Sequence, residues 1–335
     1  MAAEKFHSSL GVWISPFGGY GNAKERRLQF GSAEGFETNA SGFSLSGAKY
    51  YDRFHGMCVE MIKKYGVNEF KFDGLVAGAQ ASEAGLTRDG DAMLRMIGEL
   101  RAIRPDLYIN QTVGTWPSPF WLLHVDSTWR GGGDHDFFGK GSERQRWITY
   151  RDLITFSNVV QRAPLYPLNS LMVHGIVYGK LAKGLTNSTD EDFRAEVREY
   201  FGAGTQLQEL YLTPKFLNET NWNDLAEAAK WSCANAGVLV DTHWVGGNPH
   251  NGEIYGWASW SQRKAILTLR NPGDKPATFT ADMEKLFDLP AGAKKTFRLH
   301  SPWHEDGQKP DINVRAGEPH TFQLEPFQVL VLESK

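Results

Sequence analysis

The 335-residue sequence contains two cysteines, Cys58 and Cys233, which are far apart in the chain. This number excludes a disulfide framework, and no Cys-x-x-Cys spacing indicates zinc. No apolar run approaches the roughly 20 residues that span a bilayer, and the amino terminus has no apolar signal region. We therefore predict no membrane partner. The sequence does not indicate the cellular compartment, and a truncated amino terminus would imply a secreted or periplasmic protein.

The sequence also lacks a strong charge of either sign. Its formal net charge is −3 and it has no long basic block, so a nucleic-acid partner is not expected. Aromatic residues are plentiful, with 20 Phe and 11 Trp. They either fill cores or line sugar-binding clefts, and composition does not separate the two. The length and the 41% hydrophobic content suit one large domain plus a smaller one.

Strand-like and helical segments alternate over the first 245 residues. The patterns predict six strands, within residues 10–19, 69–73, 107–113, 122–129, 165–173 and 209–214. They predict five helices, at 47–65, 89–103, 142–158, 190–202 and 222–235, and a long loop at 18–48. Apolar strands that alternate with helices indicate a parallel sheet covered by helices. A closed (β/α)8 barrel needs eight strands, and only six are predicted.

The pattern changes after residue 245. Short alternating runs separated by Gly, Pro, Asn and Asp predict an antiparallel β-sandwich. We therefore predict a partial TIM-type barrel domain at 1–245 and a C-terminal β-sandwich domain at 246–335. Pro249 and its Gly and Asn neighbours mark the predicted boundary.

Acidic residues lie where a barrel would use them. Asp73 and Asp126 are each interpreted as the end of a predicted strand, and Asp134 and Asp136 follow a glycine triplet. In parallel barrels the chemistry lies at the carboxyl ends of the strands. Two carboxylates across a pocket can divide the labour of glycoside hydrolysis, because one attacks the anomeric carbon while the other protonates the leaving oxygen.

Each of these features also has a plain structural explanation. A lone aspartate at a strand end is more often a turn or helix-cap residue, and an Arg-Gly-Gly-Gly-Asp run is more often a tight loop. Five residues offer metal-ligating atoms: His124, Asp126, Asp134, His135 and Asp136. They match no known ligand spacing, so we predict neither a metal nor a cofactor.

Two short motifs resemble those of the alpha-galactosidases and alpha-N-acetylgalactosaminidases of glycoside hydrolase families 27 and 36. "KFDG" (71–74) is similar to the nucleophile motif on their fourth strand, and "RGGGD" (130–134) to the Arg-x-x-x-Asp element on their sixth. The resemblance implies that Asp73 attacks the sugar and that Lys71 binds its hydroxyls. It implies that Asp134 is the general acid/base, with Asp126 and Asp136 as second choices, and that Arg130 contacts the substituent at C2.

Two further segments resemble the same families. "LGVWISPFGGY" (10–20) is similar to their third strand, and "GTWPSPFW" (114–121) to their fifth-strand loop. By this resemblance, Thr115 and Ser118 stand where the galactosidases have a Glu and a Leu. Small residues there leave room for a 2-acetamido group, which favours N-acetylgalactosamine. Three tryptophans are candidates for a platform under the sugar ring, with core packing as the alternative: Trp13, Trp116 and Trp129.

The resemblance implies a retaining alpha-glycosidase acting on terminal alpha-galactosyl or alpha-N-acetylgalactosaminyl residues of an oligosaccharide or glycoconjugate. The two carboxyl groups of a retaining enzyme lie about 5–5.5 Å apart. A non-catalytic carbohydrate-binding relative is the main alternative. A third possibility is an alpha-glucosidase-like or transglycosylating barrel, which differs in the sugar rather than in the chemistry.

The sequence departs from the families at its start, because nothing matches their first two strands. An open edge of buried strands is a liability. Three explanations compete: the chain is a fragment of a longer enzyme, another chain completes the barrel, or residues 1–9 and 18–48 patch a smaller one. The fragment is the favoured hypothesis, and it implies weak or absent activity for this chain alone.

Overall fold

A computed structural model describes residues 3–74, 84–112 and 117–334. The chain divides into two compact units, Met1–Gly131 and Gly132–Lys335. The predicted domain boundary near residue 245 lies inside the second unit, and it stays a prediction. Among the described helices, none is both long enough and apolar enough to cross a membrane.

The first unit is built on a parallel sheet in the strand order β1, β4, β5, β6. Its strands are β1 (Gly11–Ile14), β4 (Glu69–Phe72), β5 (Tyr108–Gln111) and β6 (Ser127–Trp129). A small antiparallel hairpin adds β2 (Thr38–Asn39) and β3 (Gly42–Phe43), and the helices are α1 (Gly21–Ala33), α2 (Ala48–Tyr65) and α3 (Ala84–Ile103). The βα alternation predicted from the sequence is therefore confirmed here.

The two faces of this sheet differ in chemistry. Phe70, Phe72 and Ile109 point to one face, where they join a core with apolar residues of α2 and α3. Lys71 and Asn110, at the alternate positions, point to the other face. Because side chains alternate along a strand, one face is committed to the core and the other is left for polar groups.

The segment predicted as a loop, 18–48, is wrong in part, because α1 and the β2–β3 hairpin lie within it. Helix α1 has Gly31 as its one buried residue and so carries no apolar stripe that a pattern could reveal. The hairpin is held by Asp89 of α3, whose carboxylate accepts hydrogen bonds from Asn39 Nδ2 at 2.5 Å and Ser44 Oγ at 2.9 Å.

The second unit begins with a parallel pair, β7 (Leu171–Tyr178) and β8 (Gln208–Leu212). Its helices are α4 (Glu143–Thr155), α5 (Asp190–Gly202), α6 (Glu219–Ala234) and α7 (Ala236–Leu239). The prediction of a strand over 165–173 is wrong in its position, because Pro167 precedes a 3-10 turn, Leu168–Ser170, and the strand starts only at Leu171. Proline cannot donate to a strand ladder.

The rest of the second unit is antiparallel. A six-stranded sheet runs in the order β14, β13, β16, β11, β10, β9, and a two-stranded sheet pairs β12 with β15. Their bounds are β9 (His243–Gly246), β10 (Tyr255–Trp260), β11 (Ala265–Arg270), β12 (Ala277–Asp282), β13 (Thr296–His300), β14 (Ile312–Arg315), β15 (Pro319–Leu324) and β16 (Val329–Ser334), with the short helix α8 (Met283–Leu286) after β12. Leu267 and Leu299 of the larger sheet share a core with Phe322 of the smaller one. The described strands thus give the predicted fold class, a partial TIM-type barrel followed by an antiparallel β-sandwich.

A buried ionic cluster crosses the second unit. Three arginines, three carboxylates and a tyrosine make it up: Arg144, Arg151, Asp152, Glu196, Glu199, Tyr255 and Arg270, all under 3% exposed. Glu196 forms ion pairs with Arg144 and Arg151, and Arg151 also pairs with Glu199. The Tyr255 hydroxyl donates to Asp152 Oδ2 at 2.5 Å and accepts from Arg270 Nη1 at 2.5 Å. The charges balance, as buried charges must, and they join α4 and α5 to strands β10 and β11.

Candidate active site

Asp73 follows the carboxyl end of β4. Phe72 pairs with Ile14 of β1 and with Gln111 of β5, so the next residue along, Asp73, lies opposite Thr112. The Thr112 hydroxyl donates to Asp73 Oδ1 at 2.9 Å. This is the edge of a parallel sheet at which barrel enzymes place their chemistry.

Two aromatic side chains also bind the Asp73 carboxylate. Trp13 Nε1 donates to Oδ2 at 2.9 Å, and the Tyr20 hydroxyl donates to Oδ1 at 3.1 Å. The Asp73 residue is 7% exposed. Three donors from three separate segments therefore hold both carboxylate oxygens in place.

Lys71 lies on the same face of β4 as Asp73, because the two residues are two positions apart along the strand. It is directly opposite Trp13 in the sheet register, and its Nζ lies 4.6 Å from the centre of the indole ring. Lys71 is buried, whereas Trp13 is 62% exposed. Trp13 thus binds a cation through its ring and a carboxylate through its N–H, and still offers ring surface to solvent.

The backbone geometry at position 74 requires a glycine after Asp73. Its φ of +85° is in the left-handed region, which side chains with a Cβ rarely adopt. A Cβ added at this position would lie 3.1 Å from the Tyr20 hydroxyl and 3.2 Å from Ser15 Oγ. The glycine turn therefore lets Tyr20 reach the carboxylate.

Asp73 lines a cavity of about 920 Å³ in the first unit. Trp13, Ser15 and Tyr20 lie beside the carboxylate there, and apolar and basic side chains of α1 and α2 line much of the remainder. The volume falls in the range of ligand pockets, roughly 300–1,000 Å³.

Arg130 follows the carboxyl end of β6, at the same edge of the sheet as Asp73. Arg130 is fully buried, and its Nη1 donates a hydrogen bond to the Gly131 carbonyl at 2.6 Å. Gly131 has a φ of +82°, so the chain turns sharply just beyond the arginine.

Asp134 belongs to the second unit, and its side chain is 69% exposed. Its Oδ1 lies 3.7 Å from Nε2 of His174, in the middle of β7. The backbone N–H of Gly133 donates to the Tyr150 hydroxyl at 2.8 Å, which fixes the loop just before Asp134. Asp136, the neighbouring candidate, is exposed and accepts a hydrogen bond from the Phe137 backbone N–H at 2.8 Å.

Three polar residues near Asp134 have no counterpart among the sequence predictions. The His174 ring stacks on the Tyr211 ring at 5.2 Å, and the Tyr211 hydroxyl donates to Glu209 Oε2 at 2.9 Å. Burial, followed by the Glu209 charge, raises the pKa of Tyr211. Tyr211 therefore stays a neutral hydrogen-bond donor over the physiological range of pH.

Asp126 was interpreted as the end of a strand, and this is wrong. Residues Pro119–Leu123 form a 3-10 turn, so the strand begins only at Ser127 and Asp126 precedes it. Its Oδ2 accepts hydrogen bonds from Arg101 Nη2 at 2.6 Å and from the Ile109 backbone N–H at 2.7 Å. Asp126 therefore lies at the amino end of β6, away from the Asp73 edge, which removes it as a candidate acid.

Four further residues were predicted to bind the substrate or its ring: Thr115, Trp116, Ser118 and Trp129. Thr115 and Trp116 lie outside the described residues. Ser118 is half-buried and precedes the 3-10 turn, and Trp129 is half-buried in β6. Across the ranges that the structure describes, no group of three or more His, Cys, Asp and Glu residues is arranged to hold a metal ion.

Tyr20 and Thr112 contact Asp73 but were not predicted. The strand register would have found Thr112, since the residue after β5 must lie opposite the residue after β4. No sequence pattern indicates the contact from Tyr20, because it depends on the turn at Gly18 and Gly19, both of which have a positive φ.

The partial barrel and the sandwich give a fold that is similar to that of glycoside hydrolases of families 27 and 36 and of alpha-amylases. No protein-family model matches the sequence, and no curated protein matches it.

Three solved structures illustrate the likeness. The provisionally assigned alpha-N-acetylgalactosaminidase of Bacillus halodurans C-125 is 13% identical, with a TM-score of 0.64 over 99% of this chain and 76% of that one. The family 27 β-L-arabinopyranosidase of Geobacillus stearothermophilus is 15% identical, with a TM-score of 0.63 over 100% and 76%. The alpha-amylase of Geobacillus thermoleovorans is 12% identical, with a TM-score of 0.62 over 99% and 78%. At these identities the likeness concerns the fold.

Proposed function

We propose that this chain is a retaining alpha-glycosidase that acts on terminal alpha-galactosyl or alpha-N-acetylgalactosaminyl residues. The observation that supports it most is the Asp73 carboxylate, which three donors orient at the carboxyl edge of a parallel barrel sheet. A turn or cap residue would bind nearby backbone N–H groups, and Asp73 instead binds side chains from two other strands and a loop. Such an arrangement is typical of a pre-oriented nucleophile.

The hydrogen bonds to the two Asp73 carboxylate oxygens indicate which of them attacks the sugar. An ionised carboxylate has about four lone-pair sites. Oδ1 accepts from both Tyr20 and Thr112, whereas Oδ2 accepts from Trp13 alone among the described residues. We infer that Oδ2 attacks the anomeric carbon and forms a β-linked glycosyl-enzyme, and that Oδ1 stays as the anchor.

The neighbouring residues would bind the sugar. Lys71 supplies a cation over the Trp13 ring, and the exposed part of that ring offers an apolar surface to one sugar face. Arg130, buried at the same edge of the sheet, would contact the substituent at C2. Substrate-binding roles for Thr115, Trp116 and Ser118 remain part of this proposal by resemblance.

Asp134 is assigned as the general acid/base. It would first donate a proton to the leaving oxygen and then take one from water. Its exposed side chain is consistent with exchanging protons with solvent. His174, 3.7 Å from Asp134, is the nearby group that the resemblance did not supply.

Hydrolysis of 4-nitrophenyl alpha-galactoside and its 2-acetamido analogue tests the proposal. We expect weak but measurable turnover by the wild-type chain and a loss of at least about 10³-fold in kcat for Asp73→Gly, because the nucleophile is removed. Azide should restore turnover of Asp73→Gly and release a β-glycosyl azide, since a small anion can occupy the vacated space.

Asp136→Asn is the matched control, because Asp136 is an exposed carboxylate with a local hydrogen bond and should leave kcat within about twofold. Binding of methyl alpha-galactoside without any hydrolysis would instead support the non-catalytic carbohydrate-binding alternative. Azide rescue that yields no glycosyl azide would remove the nucleophile assignment.

A further inference from the structure

The cavity that contains Asp73 continues along helix α1. Four residues of α1 line it, Ala23, Arg26, Arg27 and Phe30, and they are spaced at i, i+3, i+4 and i+7. Residues at this spacing form a single stripe along a helix. Phe30 is 65% exposed, so its ring is offered to the cavity rather than committed to the core.

Helix α2 presents a stripe of the same kind. Tyr50, Arg53, Phe54 and Met57 line the same cavity at i, i+3, i+4 and i+7. The Tyr50 and Phe54 rings belong to the core of the first unit, and Arg53 is exposed. The space lined by these two stripes is the helical groove, which has apolar side chains on both helices, two guanidinium groups on α1 and one on α2.

The charged side chains of the helical groove are mainly basic. Arg26, Arg27 and Arg53 line it, and among the described residues that line the cavity the one acidic residue is Asp73, whose carboxylate is bound by its three donors. Arg27 donates to the Gly18 carbonyl at 2.8 Å. Over the described part of the chain, none of the three arginines has a carboxylate within ion-pair distance. An apolar cleft with uncompensated positive charge concentrates anions.

We propose that the helical groove binds an amphipathic anion, namely an aryl or alkyl group that carries one carboxylate, sulfonate or phosphate. The aromatic walls would take the apolar part, and the guanidinium forks match planar or tetrahedral anions with two hydrogen bonds each. A face that only packs against protein would not place three guanidinium groups without carboxylate partners beside it, because burying an uncompensated charge is costly.

The helical groove is the part of the cavity that α1 and α2 line, whereas Asp73 follows β4. Binding of the anion in the helical groove does not require that Asp73 be catalytic.

Isothermal titration calorimetry with naphthalene-2-sulfonate tests the inference, with two matched probes beside it. Naphthalene-2-sulfonamide keeps the shape without the charge, and inorganic sulfate keeps the charge without the rings. We expect the sulfonate to bind at least about tenfold more tightly than the sulfonamide, and sulfate alone to bind more weakly than either. Sodium decyl sulfate at submicellar concentration distinguishes an alkyl from an aryl preference.

Variants localise the binding. Arg26→Gln combined with Arg53→Gln should weaken the sulfonate about tenfold and leave the sulfonamide within twofold, whereas Phe30→Gln should weaken both. Lys63→Gln is the control, because Lys63 is an exposed cation on α2 that does not line the groove. Equal binding of sulfonate and sulfonamide, or an equal effect of Lys63→Gln, would overturn the proposal. So would an absence of binding by all four probes to wild-type chain that circular dichroism shows to be folded.

Discussion

At the scale of single residues, the candidate site depends on backbone geometry as much as on acidic side chains. The Asp73 carboxylate is bound by Trp13, Tyr20 and Thr112, and Tyr20 reaches it because Gly74 turns away with a positive φ. The short sequence "KFDG" therefore encodes three things: a cation, a carboxylate and the turn that makes room for a second donor.

Gly74→Ala should destabilise the protein by about 1–2 kcal/mol, since a left-handed φ costs a residue with a Cβ about that much. The new methyl would also lie 3.1 Å from the Tyr20 hydroxyl and disturb its bond to Asp73, so kcat should fall as well. Urea unfolding followed by circular dichroism measures the first effect. Gly98→Ala in α3 is the control, because open space surrounds it and alanine should stabilise a helix by about 0.5–1 kcal/mol.

The two cysteines should differ in reactivity. Cys58 is buried in the core of the first unit, and burial raises the pKa of its thiol to about 12, whereas Cys233 is exposed. Ellman's reagent should therefore titrate one thiol in the native protein and two in guanidinium chloride. Two fast-reacting thiols in native protein at pH 8 would contradict the buried position.

The sign of the pH effect follows from the same shift. An unfolded thiol ionises near pH 8.5, below the pKa of about 12 that Cys58 has in the fold. The neutral thiol is favoured in the native state, so its contribution is fully present below about pH 8.5 and is lost as the pH rises toward 12. Cys58→Ala should flatten this part of the stability profile, and Cys233→Ala should not.

At the scale of elements, the sequence predicted what local periodicity encodes. The helix at 190–202 was predicted with its observed bounds, because Thr189 caps it and accepts a hydrogen bond from the Asp192 backbone N–H. Helix α1 was missed because no apolar stripe commits it to a core. In the same way, Lys71 and Asp73 follow from strand alternation, whereas the contact from Tyr20 depends on a turn whose φ angles no pattern reveals.

The buried ionic cluster is the strongest long-range feature that the sequence did not indicate. Burial lowers the pKa of Arg151, but the Asp152 and Glu196 charges raise it more, so that it stays a cation. Replacing Glu196 by Gln leaves Arg144 and Arg151 without their shared carboxylate. Breaking a buried ion pair on one side costs about 3–5 kcal/mol, and we expect a loss of this size.

Urea unfolding with tryptophan fluorescence measures that loss. Glu191→Gln, an exposed change in the first turn of the same helix, is the matched control. It should cost less than about 1 kcal/mol, since an exposed acidic residue near a helix amino terminus contributes about 0.3–1 kcal/mol. Similar losses in the two variants would show that the cluster adds little to stability.

At the scale of the whole molecule, the fold alone does not identify a sugar. The same fold occurs in an alpha-amylase, a β-L-arabinopyranosidase and a family 36 alpha-galactosidase, all at 15% identity or less. The identity of the sugar must therefore come from side chains, and two of the residues assigned to it, Thr115 and Trp116, come from resemblance alone. Substrate assays must decide whether the enzyme prefers galactose or N-acetylgalactosamine. The stereochemical course of hydrolysis, in contrast, is common to all members of the class that we propose.

Stereochemistry tests the proposal as a whole, because it depends on the chemistry of Asp73 and Asp134 together and not on the sugar. Two successive displacements should release the alpha anomer first, and ¹H NMR of the anomeric proton during early turnover of 4-nitrophenyl alpha-galactoside measures this before mutarotation. Added methanol should trap the glycosyl-enzyme as methyl alpha-galactoside. First appearance of the β anomer would instead mean a single displacement by water, and Asp73 would then have to act as the base rather than the nucleophile.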